Sequence, residues 1–249
     1  VIRIKKKDEI KRMIIASEIL SEAFDAIKKT VAPGISTKTL EKVAEEVVLS
    51  KGAKLTFKGY RGYPAGICVS INDEVVHGIP SDKRILKEGD IVSIDIGVTY
   101  KGYISDAAIT LAVGEVSVRA QRLMDVTREA LFKGIEAARV GNTVGDISYA
   151  IQSFVESHGY SVVRKFVGHG VGRSLHEDPQ VPNYGDRGSG VKLREGMTLA
   201  IEPMVNEGTF DIVIMDDGWT AKTADGSLSA HFEHTVLIKR SGPEILTRW

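Results

Sequence analysis

Two segments of this chain, LKEGDIVSID at Leu86–Asp95 and LREGMTLAIE at Leu193–Glu202, share a leucine, a basic residue, Glu-Gly and an isoleucine followed by a carboxylate, 107 positions apart (193 − 86). The same spacing links Gly34 to Gly141, Ser36 to Thr143 and Gly52 to Gly159. Between these landmarks an apolar stripe at Leu40, Val43, Ala44, Val47 and Val48 recurs as Ile147, Ala150, Ile151, Phe154 and Val155. That spacing places five side chains on one helical face in each copy. Ser36 and Thr143 stand where N-caps belong, and Gly52 and Gly159 where helices stop. Four landmarks at one offset are not a coincidence of composition. The chain is read as two related halves, roughly residues 8–114 and 115–242.

A further helix opens each half. Ala16, Ile19, Leu20, Ala23 and Ile27 form a stripe that ends before Pro33-Gly34, and a less regular pattern runs from about Val118 to Ala138. Each half then turns to β-rich or alternating stretches, Ile91–Gly97 and Ala107–Val113 in the first, Thr198–Pro203 and Thr235–Lys239 in the second. Helices followed by antiparallel strands, twice, give an α+β fold with helices covering a shared curved sheet and a pseudo-twofold axis between the halves. No linker or low-complexity stretch separates them, so residues 1–249 are expected to form a single domain.

Composition narrows the function classes. Hydrophobic residues at 43% and charged residues at 27% are ordinary for a globular chain of 249 residues. The 33 basic and 33 acidic residues cancel, which leaves no global field to attract nucleic acid or an anionic membrane. The charged opening VIRIKKKDEI reads as neither signal peptide nor membrane span. The single cysteine, Cys68, has no internal partner, which suits a reducing cytoplasm.

Against that background two acids are out of place. Asp95 interrupts the apolar run Ile94-Asp95-Ile96, and Glu202 interrupts Ala200-Ile201-Glu202-Pro203 at the matching point of the other half. A buried carboxylate without a partner is costly, so such a residue is normally paired with a cation. A lone strand acid would ordinarily be assigned to a solvent-facing side; recurrence at equivalent positions argues against that here. Each half offers a second acid. A turn near Tyr100–Gly102 would bring Asp106 nearly opposite Asp95, and Glu233 precedes HTVLIK much as Asp106 precedes AITLAV. Four carboxylates meeting inside a sheet would repel and resist ionisation unless divalent ions neutralised them. Oxygen-rich ligation completed by an imidazole suits Mn, Co, Fe or Zn, as a pair about 3.5–4 Å apart.

Of the six histidines, His169 lies between glycines that permit close backbone approach, and His176 follows in the same KFVGHGVGRSLHEDPQVPNYG stretch. His77 precedes a Gly-Ile-Pro turn, where structural and functional readings stand even. His158, at the end of the fourth helical pattern, reads as a polar residue beside a helix C-terminus.

These residues lie in the motifs SINDEVVHGIP, DIGVTYKGYISDAA, GHGVGRSLHEDPQVPNYG, GMTLAIEP and SAHFEHTVLI, in that order. With them the chain resembles, over essentially its whole length, the methionine aminopeptidases of the bacterial type I class, within the pita-bread metallohydrolase superfamily. The resemblance implies that Asp95 chelates one ion, that Asp106 and Glu233 bridge two, and that His169 and Glu202 complete the second. It implies that His77 contacts substrate near the scissile bond and that His176 stabilises charge on its carbonyl oxygen. A water shared by the ions would be the nucleophile, with Glu202 as the proton shuttle. Tyr60, Tyr63, Cys68 and Trp219 would form the methionine pocket; ordinary packing is the bland alternative for the three aromatic residues. A monovalent cation would fall on Asn72 and Ser229, a carry-over weakened by its dependence on backbone carbonyls. The substrates implied are N-termini of nascent polypeptides with a small second residue, met by a cytoplasmic monomer in transient contact with the ribosome.

Two departures stand out. Leu175 replaces a phenylalanine common in relatives, and His231 replaces a glutamine. His231 shares a strand face with Glu233; a hydrogen-bonding substitute for glutamine is the favoured reading over an extra metal ligand. The rival functions are prolidase or aminopeptidase P, which usually carry a further N-terminal domain, and a non-catalytic binding module of the same fold, which typically loses ligands that are all present here. The absence of a zinc-finger extension and of a long insert between His176 and Glu202 favours the short type I form over type II.

Overall fold

The computed structural model describes residues 1–249. Four helices are present: α1 Lys7–Thr30, α2 Thr37–Ser50, α3 Val118–Ala137 and α4 Val144–Ser157. The bounds of α2 and α4 differ by 107 at both ends. Their caps form as the sequence suggests. Ser36 Oγ accepts from Thr39 N at 3.2 Å, while Thr143 and Asp146 close a reciprocal capping box. Gly52 and Gly159 stop the helices in the left-handed region, at φ 69° and 82°. His158 caps α4 and donates from Nδ1 to Phe154 O at 2.8 Å, as a helix-end residue should.

The repeat extends to the hydrogen bonds. Gly34 N donates to Leu86 O and Gly141 N to Leu193 O; Leu86 N donates to Ile35 O and Leu193 N to Asn142 O. Each pair therefore staples the residues that lead into a helix to those that lead into strand Ile91–Tyr100 or Thr198–Ile201. Strand Ile91–Tyr100 pairs antiparallel with Tyr103–Ala112 through a two-residue turn in which Lys101 and Gly102 have φ 45° and 80°. In the second half the equivalent strand is split into Thr198–Ile201 and Met204–Asn206, on either side of Glu202-Pro203. Proline has no N–H to give a ladder, so the break falls there. The partner strand splits likewise, into Ser229–His231 and His234–Lys239.

This register revises one expectation. Gly97 faces Asp106 and Met204 faces His231, so the counterpart of Asp106 is His231 rather than Glu233. Thr110 and Thr235 repeat the relation. Thr110 Oγ1 donates to His231 O and accepts from His231 N, both at 2.9 Å. Thr235 Oγ1 donates to Asp106 O at 2.8 Å and accepts from Asp106 N at 3.0 Å. Glu233 corresponds to Ala108, and these two bridge each other on the axis itself. The offset here has grown to 125 (231 − 106) because the second half inserts strands Ile212–Ile214 and Ala221–Thr223 where the first has its tight turn.

The helices pack on the strands through one continuous core of 46 buried residues drawn from both halves, including Leu20, Phe24, Ile94, Leu131, Ile151 and Ile201. Burial of that apolar surface supplies most of the driving force for joining the halves.

Candidate metal centre and substrate pocket

Asp95 and Asp106 do not sit directly opposite each other. Asp95 faces Ala108 and Asp106 faces Gly97, a diagonal pair on one face of the hairpin. Across the axis the same face presents Glu202, at the break before Pro203, and Glu233, at the break before His234. His169 enters from strand Gly168–Gly170, which is sandwiched between two neighbours. A Cβ at Gly168 would lie 2.4 Å from Ala200 O and one at Gly170 2.4 Å from Asp178 O, so only glycine permits this approach on both sides of the histidine.

His169 Nε2 lies 3.3 Å from Glu202 Oε1 and 3.8 Å from Asp106 Oδ2. Its Nδ1 donates to Gly170 O at 2.9 Å, which leaves Nε2 with its lone pair directed at the acids. Asp106, His169 and Glu233 bring ligand atoms within 4.8 Å of one another, as do Glu202, His231 and Glu233. Three carboxylate oxygens, Asp95 Oδ1, Asp106 Oδ1 and Glu233 Oε1, are buried without any hydrogen-bond partner. Burial pushes Asp95 up to about 7. Burial first, and the neighbouring acids second, hold Asp106, Glu202 and Glu233 well above the carboxylate range. Burial lowers His169 to about 3, with His176 adding to the effect, so its imidazole is neutral at ordinary pH. Unsatisfied acids around a neutral imidazole form a donor set that fits divalent cations and little else.

Above the acids lies a cavity of about 230 Å³. Its lining includes Asp95, Asp106, His169, Glu202 and Glu233 together with His77, His176, Tyr60, Tyr63, Cys68 and Trp219. One wall is aromatic: Tyr63 and Trp219 meet edge to face, 5.1 Å between ring centroids. Tyr63 is fixed by its hydroxyl, which lies 3.1 Å from both Ile67 O and Gly78 O and shares its one proton between them. Cys68 stands opposite Asp95 on the neighbouring strand. Burial and the adjacent Asp95 raise its thiol well above the usual range, which disfavours the thiolate. On the rim Tyr60 Oη is 2.7 Å from His176 Nδ1, and the His176 ring is 4.3 Å from that of His169. His77 adopts a left-handed φ of 63°, a strained conformation for a non-glycine residue, and packs edge-on against Phe166 at 5.0 Å.

Asn72 and Ser229 do not reach this cavity. They adjoin each other through Ser229 N and Asn72 O at 2.9 Å, and their side chains are engaged with Asp90, Ile91 and Asn206. Sequence reasoning overlooked several lining residues, Phe166 and Arg61 among them. Phe166 lies in the KFVGHG stretch but serves as a packing surface against His77, and Arg61 is an exposed charge, so neither residue type signals a site by itself.

Comparison with known proteins agrees with this geometry. Residues 11–240 match Metallopeptidase family M24. A methionine aminopeptidase of Clostridium acetobutylicum is 52% identical over 244 residues, covering 98% of both chains. The solved structure of a methionine aminopeptidase from Thermotoga maritima superposes with a TM-score of 0.98 at 51% identity, over 100% of each chain. The prolidase of Pyrococcus horikoshii shares the fold more distantly, with a TM-score of 0.78 and 26% identity over 98% of this chain and 63% of that one. The chain therefore belongs to metallopeptidase family M24, and within it to the methionine aminopeptidases.

Proposed function

We propose that residues 1–249 act as one catalytic domain, with halves 8–114 and 115–242, that hydrolyses the first peptide bond of polypeptides beginning with methionine. The observation that carries this reading is the convergence of Asp95, Asp106, Glu202 and Glu233 with neutral His169 in a cavity that is also lined by Tyr60, Tyr63, Cys68 and Trp219. Asp95 would hold one divalent ion, Asp106 and Glu233 would bridge two, and His169 with Glu202 would complete the second. Ions bound there would supply acidification of an attacking water and polarisation of the peptide carbonyl.

The remaining roles belong to the chain. Glu202, 12% exposed at its side chain, would take a proton from the attacking water at one carboxylate oxygen and return it to the leaving amine. His176 reaches the cavity from the rim, where Tyr60 holds its Nδ1 and leaves Nε2 to meet a carbonyl oxygen as negative charge develops. His77, braced by Phe166, borders the site where the peptide continues. Tyr63, Cys68 and Trp219, with Tyr60 at the mouth, surround the first side chain, and sulfur–aromatic contact favours a thioether there. A second residue with a large side chain would press against the His77 segment, whose strained backbone has little freedom to yield.

On this reading the ions are Co, Mn, Fe or Zn. A monovalent cation at Asn72 and Ser229 would rely on backbone carbonyls, because their side chains are already engaged. No helix is long and apolar enough to cross a membrane. The free thiol of Cys68 supports a cytoplasmic setting, where a monomer would meet nascent chains at the ribosome. The test is hydrolysis of Met-Ala-Ser and of Xaa-Pro peptides by chelated, dialysed protein to which Mn2+ or Co2+ is returned. Release of methionine only after metal is returned supports the reading. Metal-independent turnover, or preference for Xaa-Pro whatever the first residue, refutes it.

A further inference from the structure

Three imidazoles are buried: His169 is a ligand named above, His234 bonds Thr247 Oγ1 through Nδ1 at 2.8 Å and stacks on Trp249, and His231 is left without a task. His231 is 1% exposed, and its Nε2 has no hydrogen-bond partner. Glu202 Oε2 lies 3.7 Å away and Glu233 Oε2 3.9 Å away. Neither distance is a hydrogen bond, so this nitrogen makes no direct bond to either acid. Both match the spacing of His169 Nε2 from Glu202 Oε1 and Asp106 Oδ2, at 3.3 and 3.8 Å. Two atoms bound to one ion at about 2.0–2.2 Å lie roughly 3 Å apart at a right angle and at most about 4.4 Å apart when opposed. Glu202 thus faces an imidazole nitrogen from each of its oxygens, at distances an ion can span.

The fold supplies a second, independent observation. His231 occupies the position of Asp106 across the pseudo-twofold axis, and its backbone is gripped by Thr110 as that of Asp106 is gripped by Thr235. The backbone frame that delivers Asp106 to the centre therefore delivers His231 from the opposite side. We infer that His231 is a sixth protein ligand, donating Nε2 to the ion held by Glu202 and Glu233. This rests on the two-ion reading above. An additional nitrogen donor shifts an oxygen-rich site toward Fe2+, Co2+ and Zn2+ and away from Mn2+ and Mg2+, so His231 sets metal preference as well as affinity.

The experiment is calorimetric titration of metal-free wild-type, His231→Gln and His231→Asn proteins with Co2+ and with Mn2+, joined to X-ray absorption of the Co2+-loaded forms. The expected result is a loss of Co2+ affinity of about tenfold or more, a smaller loss for Mn2+, and one fewer imidazole in the Co2+ scattering of both variants. Two ions bound with unchanged affinity and imidazole count overturn the inference and leave the two-ion reading intact. Weaker binding with an unchanged imidazole count also overturns it, since His231 would then act through Glu202. Wild-type protein that takes up no ion overturns both. If neither variant folds, the wild-type spectrum decides: a second imidazole that persists in His77→Ala supports the assignment, and a single imidazole overturns it.

Discussion

Asp95→Asn should make the metal-free protein more stable, although it removes a metal ligand. Burial raises Asp95 from 3.8 to about 7, so the native state binds this proton more tightly than the unfolded chain does. Stability contributed by such a group is complete below 3.8 and is lost as pH rises to about 7, above which the loss is constant. A displacement of that size is worth at most about 4 kcal/mol. The four acids titrate as a set, so the share that falls on one residue is smaller, and the new amide leaves a buried polar group that costs about 1 kcal/mol. The net gain at pH 8 is therefore about 2 kcal/mol, or roughly 4–8 °C in Tm for a chain of this length. Thermal unfolding of chelated protein from pH 4 to 8.5 should show a gap near zero or slightly negative at the acid end that grows to its full value by about pH 7. Adding Mn2+ should reverse the sign, because only wild-type protein retains the full ligand set and gains from binding to the native state. A metal-free Asp95→Asn protein less stable than wild type at pH 8, or a gap independent of pH, would refute the view that uncompensated acid burial is what the metals relieve.

His176→Ala should retain stoichiometric metal yet lose about 10²–10³-fold in kcat, whereas Glu233→Gln should lose metal and rate together; equal metal loss in both would show His176 to be a ligand. Met-Xaa-Ser peptides should be cleaved fastest with Gly, Ala or Ser as Xaa and fall on the order of 10²-fold for bulky residues, since about 1 Å of misplacement costs that much; a flat series would contradict the narrow-passage argument. Lys5 bonds Glu177 Oε2 at 2.6 Å in a pair only 5% and 6% exposed, and Glu177 Oε1 accepts from Arg173 N and Ser174 N. Lys5→Met should therefore loosen the loop bearing His176, cost about 3–5 kcal/mol in stability and lower kcat with metal content unchanged; calorimetry and steady-state kinetics check both, and Lys5→Arg should recover part of the rate.

The primary structure by itself determined more here than helix propensity could. Constant spacing between Gly34 and Gly141, Ser36 and Thr143, and Leu86 and Leu193 marked the duplication, because caps, glycine stops and strand starts are local devices that depend on nearby residues. Asp95 and Glu202 were legible for the same reason: a charged residue within an apolar run conflicts with burial, and the conflict recurs at one offset. Family resemblance then supplied roles for His77, His176 and the aromatic wall that no spacing could have assigned. What only the tertiary structure decided was which groups face each other across the axis. The excursion that carries Trp219 lengthens the second half and moves the offset from 107 to 125, so matching by neighbouring residues aligned Asp106 with Glu233. The ladder instead aligns Asp106 with His231, because pairing register is set by cross-strand hydrogen bonds and by the turn that joins the strands. The unpartnered nitrogen of His231 became visible only there, since whether a polar atom is satisfied depends on neighbours far away in sequence.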